Sequence, residues 1–366
     1  MKKLSIIIVS ALITTLMFSC IGFSAPSKKI TNSDSVLAIT TKLSNSKQFS
    51  IWKTKKISDP RDLYNSEGSL VASLFTVDGK KGILGYLIFD KNGTLLEYAL
   101  GESPYDSILD SYLNENSSLK TKKIKLIYDG PSCYGIETSD EKNKEFKNFL
   151  EKQIQTQSIN TLKSVNEELN LSKAVGKLPV VRKVASVTQK ILPNISYQEV
   201  NHGCGATAGY ILTRFWDNNG YGNLISNQTI QQVIDELFVK MGSIVISETD
   251  KTYATLPAMY RSGLAAYFQK RYSGFTVTDY SWYQGSPTFS YSTLTAEINA
   301  GRPGTLLYMN NPKYGNHYVT FTGYSYGDTD GQRIYVIHDS WVQTNVFRNW
   351  DSDLSKITDL YKVKRN

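Results

Sequence analysis

The chain has 366 residues, enough for two domains, with 40% hydrophobic residues and a formal charge of +8. This composition excludes a disordered or collagen-like chain, and the 24 tyrosines favour strand-rich structure because aromatic side chains suit half-buried pleated surfaces. The positive excess is spread along the sequence. Its densest run, Lys120 to Lys125, reads as the wet face of a strand, and no motif for nucleic-acid binding accompanies it.

Residues 1–25 have the pattern of an export signal. Lys2 and Lys3 precede an apolar stretch from Leu4 to Phe18, and Ser24 and Ala25 offer a cleavage site. Cleavage there removes two lysines and no acid, taking the formal charge from +8 to +6. A lipid anchor on Cys20 and an uncleaved membrane anchor are the alternatives, and Met17-Phe18-Ser19 is a poor lead-in for lipidation. The expected location is outside the cell, with any membrane association confined to the signal or such an anchor.

Residues 30–157 read as one α+β unit. A helix is expected near Val36–Leu43, with strands at Ser69–Val77, Gly82–Asp90, Thr94–Leu100 and Lys123–Tyr128. Asn92-Gly93 is a strong hairpin signal because both residues tolerate positive φ, and Asp78-Gly79 suggests a second hairpin. Phe146, Phe149, Leu150 and Ile154 recur at helical spacing and predict a closing helix over Glu141–Gln157. This half contains no histidine, and Cys133 lies in a loop-like setting that suits a buried structural thiol. Residues 158–193 read as a connector, of the kind proteases cut.

The remaining region, 194–366, is expected to place its helices first and its strands last. Helices are predicted over Gly205–Phe215, Thr229–Met241, Leu256–Gln269 and Thr293–Ala300, the last stopping at Gly301. Strands follow at Thr305–Met309, His317–Gly323 and Arg333–Asp339. That order predicts an α+β domain in which helices pack on an antiparallel sheet.

The chemistry points to Cys204. It lies between Gly203 and Gly205, which admit close approach of another backbone, and immediately precedes a helix-forming run. Free N–H groups and partial positive charge at a helix start favour thiolate. A disulfide with Cys133 and a small buried hydrophobe are the bland alternatives. A thiol nucleophile needs a base, and the chain has three histidines: His202, His317 and His338. His202 would have to fold back on Cys204. His317 opens one predicted strand and Asp339 ends the next, so a simple hairpin would set them directly opposite, with His338 on the other face. Asp339 would then orient the imidazole of His317, which takes the thiol proton and returns it to the leaving amine. Gln198 would join the Cys204 N–H as an oxyanion donor. The cysteine and histidine spacings fit no zinc site, and the chemistry needs no metal or cofactor. Tyr280–Gln284 and Asn310–Asn316 are candidate cleft-lining segments.

Cysteine, histidine and aspartate in that order, with glutamine shortly before the cysteine, resemble the papain-like cysteine peptidases. Cys204-Gly205-Ala206-Thr207-Ala208, Ala300-Gly301-Arg302-Pro303, Gly315-Asn316-His317-Tyr318-Val319 and Asp339-Ser340-Trp341 are similar to cysteine peptidase family thirty-nine and its secreted relatives. The founding members trim bacteriocin leader peptides as parts of ABC transporters; this chain lacks a P-loop, so that substrate is not implied. Some secreted relatives are binding or regulatory proteins. The resemblance covers about residues 190–350. It implies a peptide or protein substrate, Gln198, Cys204, His317 and Asp339 in the roles above, and Trp341 as a shield over the His317–Asp339 contact. More weakly, Gly85-Tyr86-Leu87-Ile88-Phe89 and Glu102-Ser103-Pro104-Tyr105 resemble the leading domains of secreted relatives, themselves similar to streptopain-type propeptides. That likeness implies an intramolecular inhibitor covering the cleft until the connector is cut.

Overall fold

The computed structural model describes residues 33–106, 109–110, 124–130, 133–138, 188–198, 203–247, 252–283, 285–311, 315–326, 332–340 and 342–366. Its first element, helix α1 (Ser33–Leu43), buries Val36 and Leu43 against a meander of β3 (Leu70–Gly79), β4 (Gly82–Asp90) and β5 (Leu95–Leu100). The turn between β4 and β5 forms as its residues dictate. Asp90 Oδ1 accepts hydrogen bonds from the Asn92 and Thr94 N–H groups, and Gly93 takes φ 86°. The preceding turn lies two residues later than Asp78-Gly79 suggested. Gly79 pairs with Gly82, leaving Lys80 and Lys81 at the tip. Short strands β1 (Lys56–Ile57) and β2 (Arg61–Tyr64) and the pair β6 (Ile124–Tyr128) and β7 (Tyr134–Thr138) complete this region. The β2–β6 pairing is parallel. The helix expected over Glu141–Gln157, and all but the end of the connector 158–193, lie outside the described residues.

After β8 (Thr188–Ile191) come α2 (Cys204–Asn218), α3 (Ile230–Lys240), β9 (Ile244–Ser247), β10 (Thr252–Ala254) and α4 (Pro257–Arg271). Thr229 and Gln232 form a reciprocal capping box that starts α3, and Pro257 occupies the first turn of α4. Strands β11 (Phe275–Tyr283) and β12 (Ser286–Pro287) precede helix α5 (Tyr291–Asn299), which ends before Gly301 at φ 75°. Strands β13 (Gly304–Asn311), β14 (Gly315–Tyr326), β15 (Arg333–His338) and β16 (Val346–Asn349) follow. The short helix α6 (Trp350–Asp353) and strand β17 (Ile357–Arg365) close the chain. Helices and a large mixed sheet make the molecule α+β, compatible with a papain-like fold.

The pairing of β11 with β17 and of β17 with β13 inserts the C-terminal strand into the sheet. Tyr280 and Trp282, from one of the candidate cleft-lining segments, are therefore strand residues; Trp282 donates its indole N–H to the Ile357 carbonyl at 2.7 Å. The sheet then continues from β13 through β14, β15 and β16 into β5, β4 and β3. Strand β14 is shared on one edge between β13 and β8. Where β8 begins to pair, a Cβ on Gly323 would lie 2.6 Å from the Lys190 carbonyl, so only glycine admits that backbone.

Candidate active site

Gly203 takes φ 93° and caps α2, making Cys204 the first helical residue. A Cβ at Gly203 would lie 3.0 Å from that of Tyr253, and one at Gly205 would lie 2.7 Å from Thr255 Oγ1. The two glycines let the β10–α4 corner close over the start of the helix. That corner is itself anchored. Tyr318 donates its hydroxyl to the Thr255 carbonyl at 3.1 Å and stacks on Tyr260, with ring centroids 4.6 Å apart. Ser243 and Thr255 share a 2.6 Å hydroxyl contact on the same corner.

Cys204 is half-buried and, like the buried Cys133, is a free thiol, so the two form no disulfide. Burial pushes the Cys204 thiol up, while main-chain hydrogen bonds from Tyr318, Cys204 and Gly205 pull it down. Burial is the largest effect, so the helix start moderates the thiol without making it a resting thiolate. The contact with Tyr318 brings the sulfur to strand β14 one residue beyond His317.

His317 is buried and pairs across the sheet with Tyr308 of β13. Its Nε2 lies 2.8 Å from the main-chain carbonyl oxygen of Asp339. A carbonyl only accepts, so Nε2 carries the proton and Nδ1 is the basic nitrogen of the neutral ring. Burial lowers the imidazole to about 4, against a smaller opposing effect of the carbonyl contact. At neutral pH the ring is therefore in its proton-accepting form.

Asp339 is completely buried, and its Oδ1 accepts the Val342 N–H at 2.9 Å, folding the turn through Ser340 at φ 65°. The structure brings His317 and Asp339 together, but through the aspartate carbonyl rather than the opposed side chains that a simple hairpin predicts. The pairing explains why. Thr320 faces His338, and the register shifts between Phe321 and Gly323. Carried one residue further, Asp339 falls opposite Val319, two residues from His317. A slip of two keeps the face and changes direct opposition into a diagonal.

His338, paired with Thr320, points away, and its Nε2 contacts Asn345 Oδ1 at 3.0 Å. Gln198 is half-buried in the extended segment whose Tyr197 ring lies 6.2 Å from that of His338. The residues joining Gln198 to Gly203, including His202, lie outside the described residues, as do Trp341 and positions 312–314 of the candidate cleft loop. Sequence reasoning missed Tyr253, Thr255 and the main chain of Tyr318. The paired glycines announced that something approaches Cys204, without saying what.

No curated protein matches the chain. The model of the peptidase C39-like family matches residues 183–365, which include Cys204 of α2, His317 of β14 and Asp339 just after β15. The chain therefore belongs to the peptidase C39-like family, a family of papain-like cysteine peptidases.

Proposed function

We propose that this chain is an exported cysteine peptidase that cleaves peptide bonds with Cys204 as nucleophile and His317 as general base. The observation that carries the reading is the meeting at β14. The sulfur at the start of α2 engages the Tyr318 main chain, next to an imidazole whose Nε2–H is fixed on Asp339. His317 Nδ1 takes the thiol proton as sulfur attacks the substrate carbonyl, and the C–S bond forms as the carbonyl π pair moves to oxygen. The Cys204 N–H and the Gln198 amide stabilise that oxyanion, each such donor contributing about 3 kcal/mol. The imidazolium protonates the departing amine, leaving a thioester. Water, deprotonated by the same imidazole, releases the acid and restores the thiol. The family resemblance gives Trp341 the role of shielding the His317–Asp339 contact.

The test is hydrolysis of casein and of short fluorogenic peptides by the protein lacking residues 1–25, beside a Cys204→Ala variant. The expected result is hydrolysis by the first and none by the second. Hydrolysis by neither, of these substrates or of peptidoglycan, assigns the fold to a silent binding protein. The positive charge, +8 for the whole chain, fits equally well a second reading in which the same thiol chemistry acts on anionic cell wall as an amidase or endopeptidase. Release of soluble peptidoglycan fragments without casein hydrolysis would select it. An inhibitory role for region 30–157 is the remaining expectation from the sequence, and the sheet that joins the two halves bears on it.

A further inference from the structure

The sheet passes without a break from the family-matched region into the N-terminal one. Strand β16 pairs with β15 on one edge and with β5 on the other, in the register Val346–Ala99, Phe347–Tyr98 and Arg348–Glu97. All of β16 is buried. Around this seam Tyr98 stacks on Phe347 with ring centroids 4.9 Å apart, and Phe49 meets Phe347 edge-on at 5.2 Å. Asn349 Nδ2 donates to the Leu95 carbonyl at 3.2 Å, and Thr344 donates its hydroxyl to that of Leu100 at 2.9 Å.

At the centre lies a buried ion cluster whose hydrogen bonds are completed only across the seam. Arg348 is fully buried, donating to Asp353 from Nε and Nη2 at 2.7 and 3.0 Å and to the Tyr128 hydroxyl at 3.0 Å. Its Nη1 pairs with Glu97, which is also fully buried and accepts the hydroxyls of Tyr86 at 2.6 Å and Tyr134 at 2.7 Å. Glu97, Tyr86, Tyr128 and Tyr134 all come from the N-terminal region. On the other side, Tyr335 donates to Asp353 at 2.6 Å and shares a 2.6 Å contact with Tyr308, the cross-strand neighbour of His317.

We propose that residues 33–138 are a permanent part of the working molecule, completing the catalytic sheet and satisfying Arg348, in place of a propeptide that departs on activation. Separation would open the edge of β16, a template for aggregation, and strip Arg348 of two of its partners in an apolar seam. Glu97 would lose its cation at the same time. A cover built to leave exposes no such pair when it goes. The inference holds whether or not the site hydrolyses peptides.

The experiment inserts a site-specific protease sequence between residues 158 and 187 of the protein lacking its first 25 residues, cuts it, and follows the fragments by size-exclusion chromatography in native buffer. Co-elution of both fragments, one cooperative thermal transition, and peptide hydrolysis within twofold of the uncut protein are expected. A folded C-terminal fragment eluting alone, or hydrolysis rising several-fold once the N-terminal fragment is stripped, overturns the proposal. Co-elution with one transition but without activity supports the proposal and counts against the peptidase reading. A Glu97→Gln variant supplies a second measurement: the single transition of the whole chain should shift to lower temperature. A separate early transition confined to the N-terminal region overturns the proposal.

Discussion

Two buried polar centres lie two strands apart in one sheet, and they solve burial in opposite ways. Around Arg348 the charges are kept: a guanidinium faces two carboxylates, and tyrosine hydroxyls fill the remaining acceptor positions. Around Cys204 charge is suppressed: burial raises the thiol and lowers the imidazole to about 4, so both rest neutral. The first arrangement fixes a unique seam between two regions. The second holds a proton ready to move, because a neutral imidazole beside a protonated thiol needs only one transfer to give the nucleophile. The chemistry belongs to one half of the chain, whereas the seam needs both.

The largest expected effect removes the reactive centre. Cys204→Ala should abolish hydrolysis, a loss of about 10⁶-fold in kcat as for other nucleophiles of this type, without a change in circular dichroism. A variant that still turns over would move the nucleophile elsewhere. At the other centre, Glu97→Ala should cost about 3–5 kcal/mol of stability, because it leaves a buried guanidinium short of a partner. Replacing both Glu97 and Arg348 by apolar residues of similar volume should recover much of that loss. Denaturant titration of both single variants and of the double variant reads the difference, and a loss in the double variant equal to the sum of the two single losses would mean that the two side chains are not coupled.

The two buried imidazoles give a pH signature. His317 and His338 are both lowered by burial to about 4 from an ordinary value of 6.5. The unfolded chain therefore binds these protons first as pH falls. Stability is full above pH 6.5, declines down to about 4, and is flat with respect to these groups below that. The cost is of order 3 kcal/mol for each imidazole. His338→Gln, which removes one titrating group and can keep a hydrogen bond to Asn345, should flatten part of this slope. An unchanged slope would show that His338 is not among the groups responsible.

The smallest effect concerns Asp339. Its carbonyl holds His317, and its Oδ1 holds the Val342 N–H. Asp339→Asn keeps both groups and should retain most of kcat, whereas Asp339→Ala unfolds the turn and should lose more. Equal, severe losses in both variants would put the negative charge itself in the mechanism.

The sequence made local structure legible wherever a short-range cause decides it. Asn92-Gly93 marked the β4–β5 turn, Gly301 marked the end of α5, and Gly203 with Gly205 marked the crowded start of α2. What it hid depends on partners distant in the chain. Nothing local to β5 or β16 says that they pair across 246 to 250 intervening positions, and an arginine such as Arg348 reads as a surface residue until Glu97 is seen beside it. The His317–Asp339 meeting was legible as strand order but not as geometry. The irregularity between Phe321 and Gly323 lies where β8 pairs with β14 and approaches the Gly323 backbone, a partner that β14 and β15 themselves do not announce.

The most direct test of the reactive pair measures the rate of iodoacetamide labelling at Cys204 near pH 7, with the buried Cys133, pushed up to about 12, as the internal control. Labelling at Cys204 should outpace that at Cys133 and should fall several-fold in His317→Ala, because only the imidazole can take the proton from the resting thiol. Equal labelling of Cys204 in the two proteins would contradict the assignment of His317 as the base for Cys204.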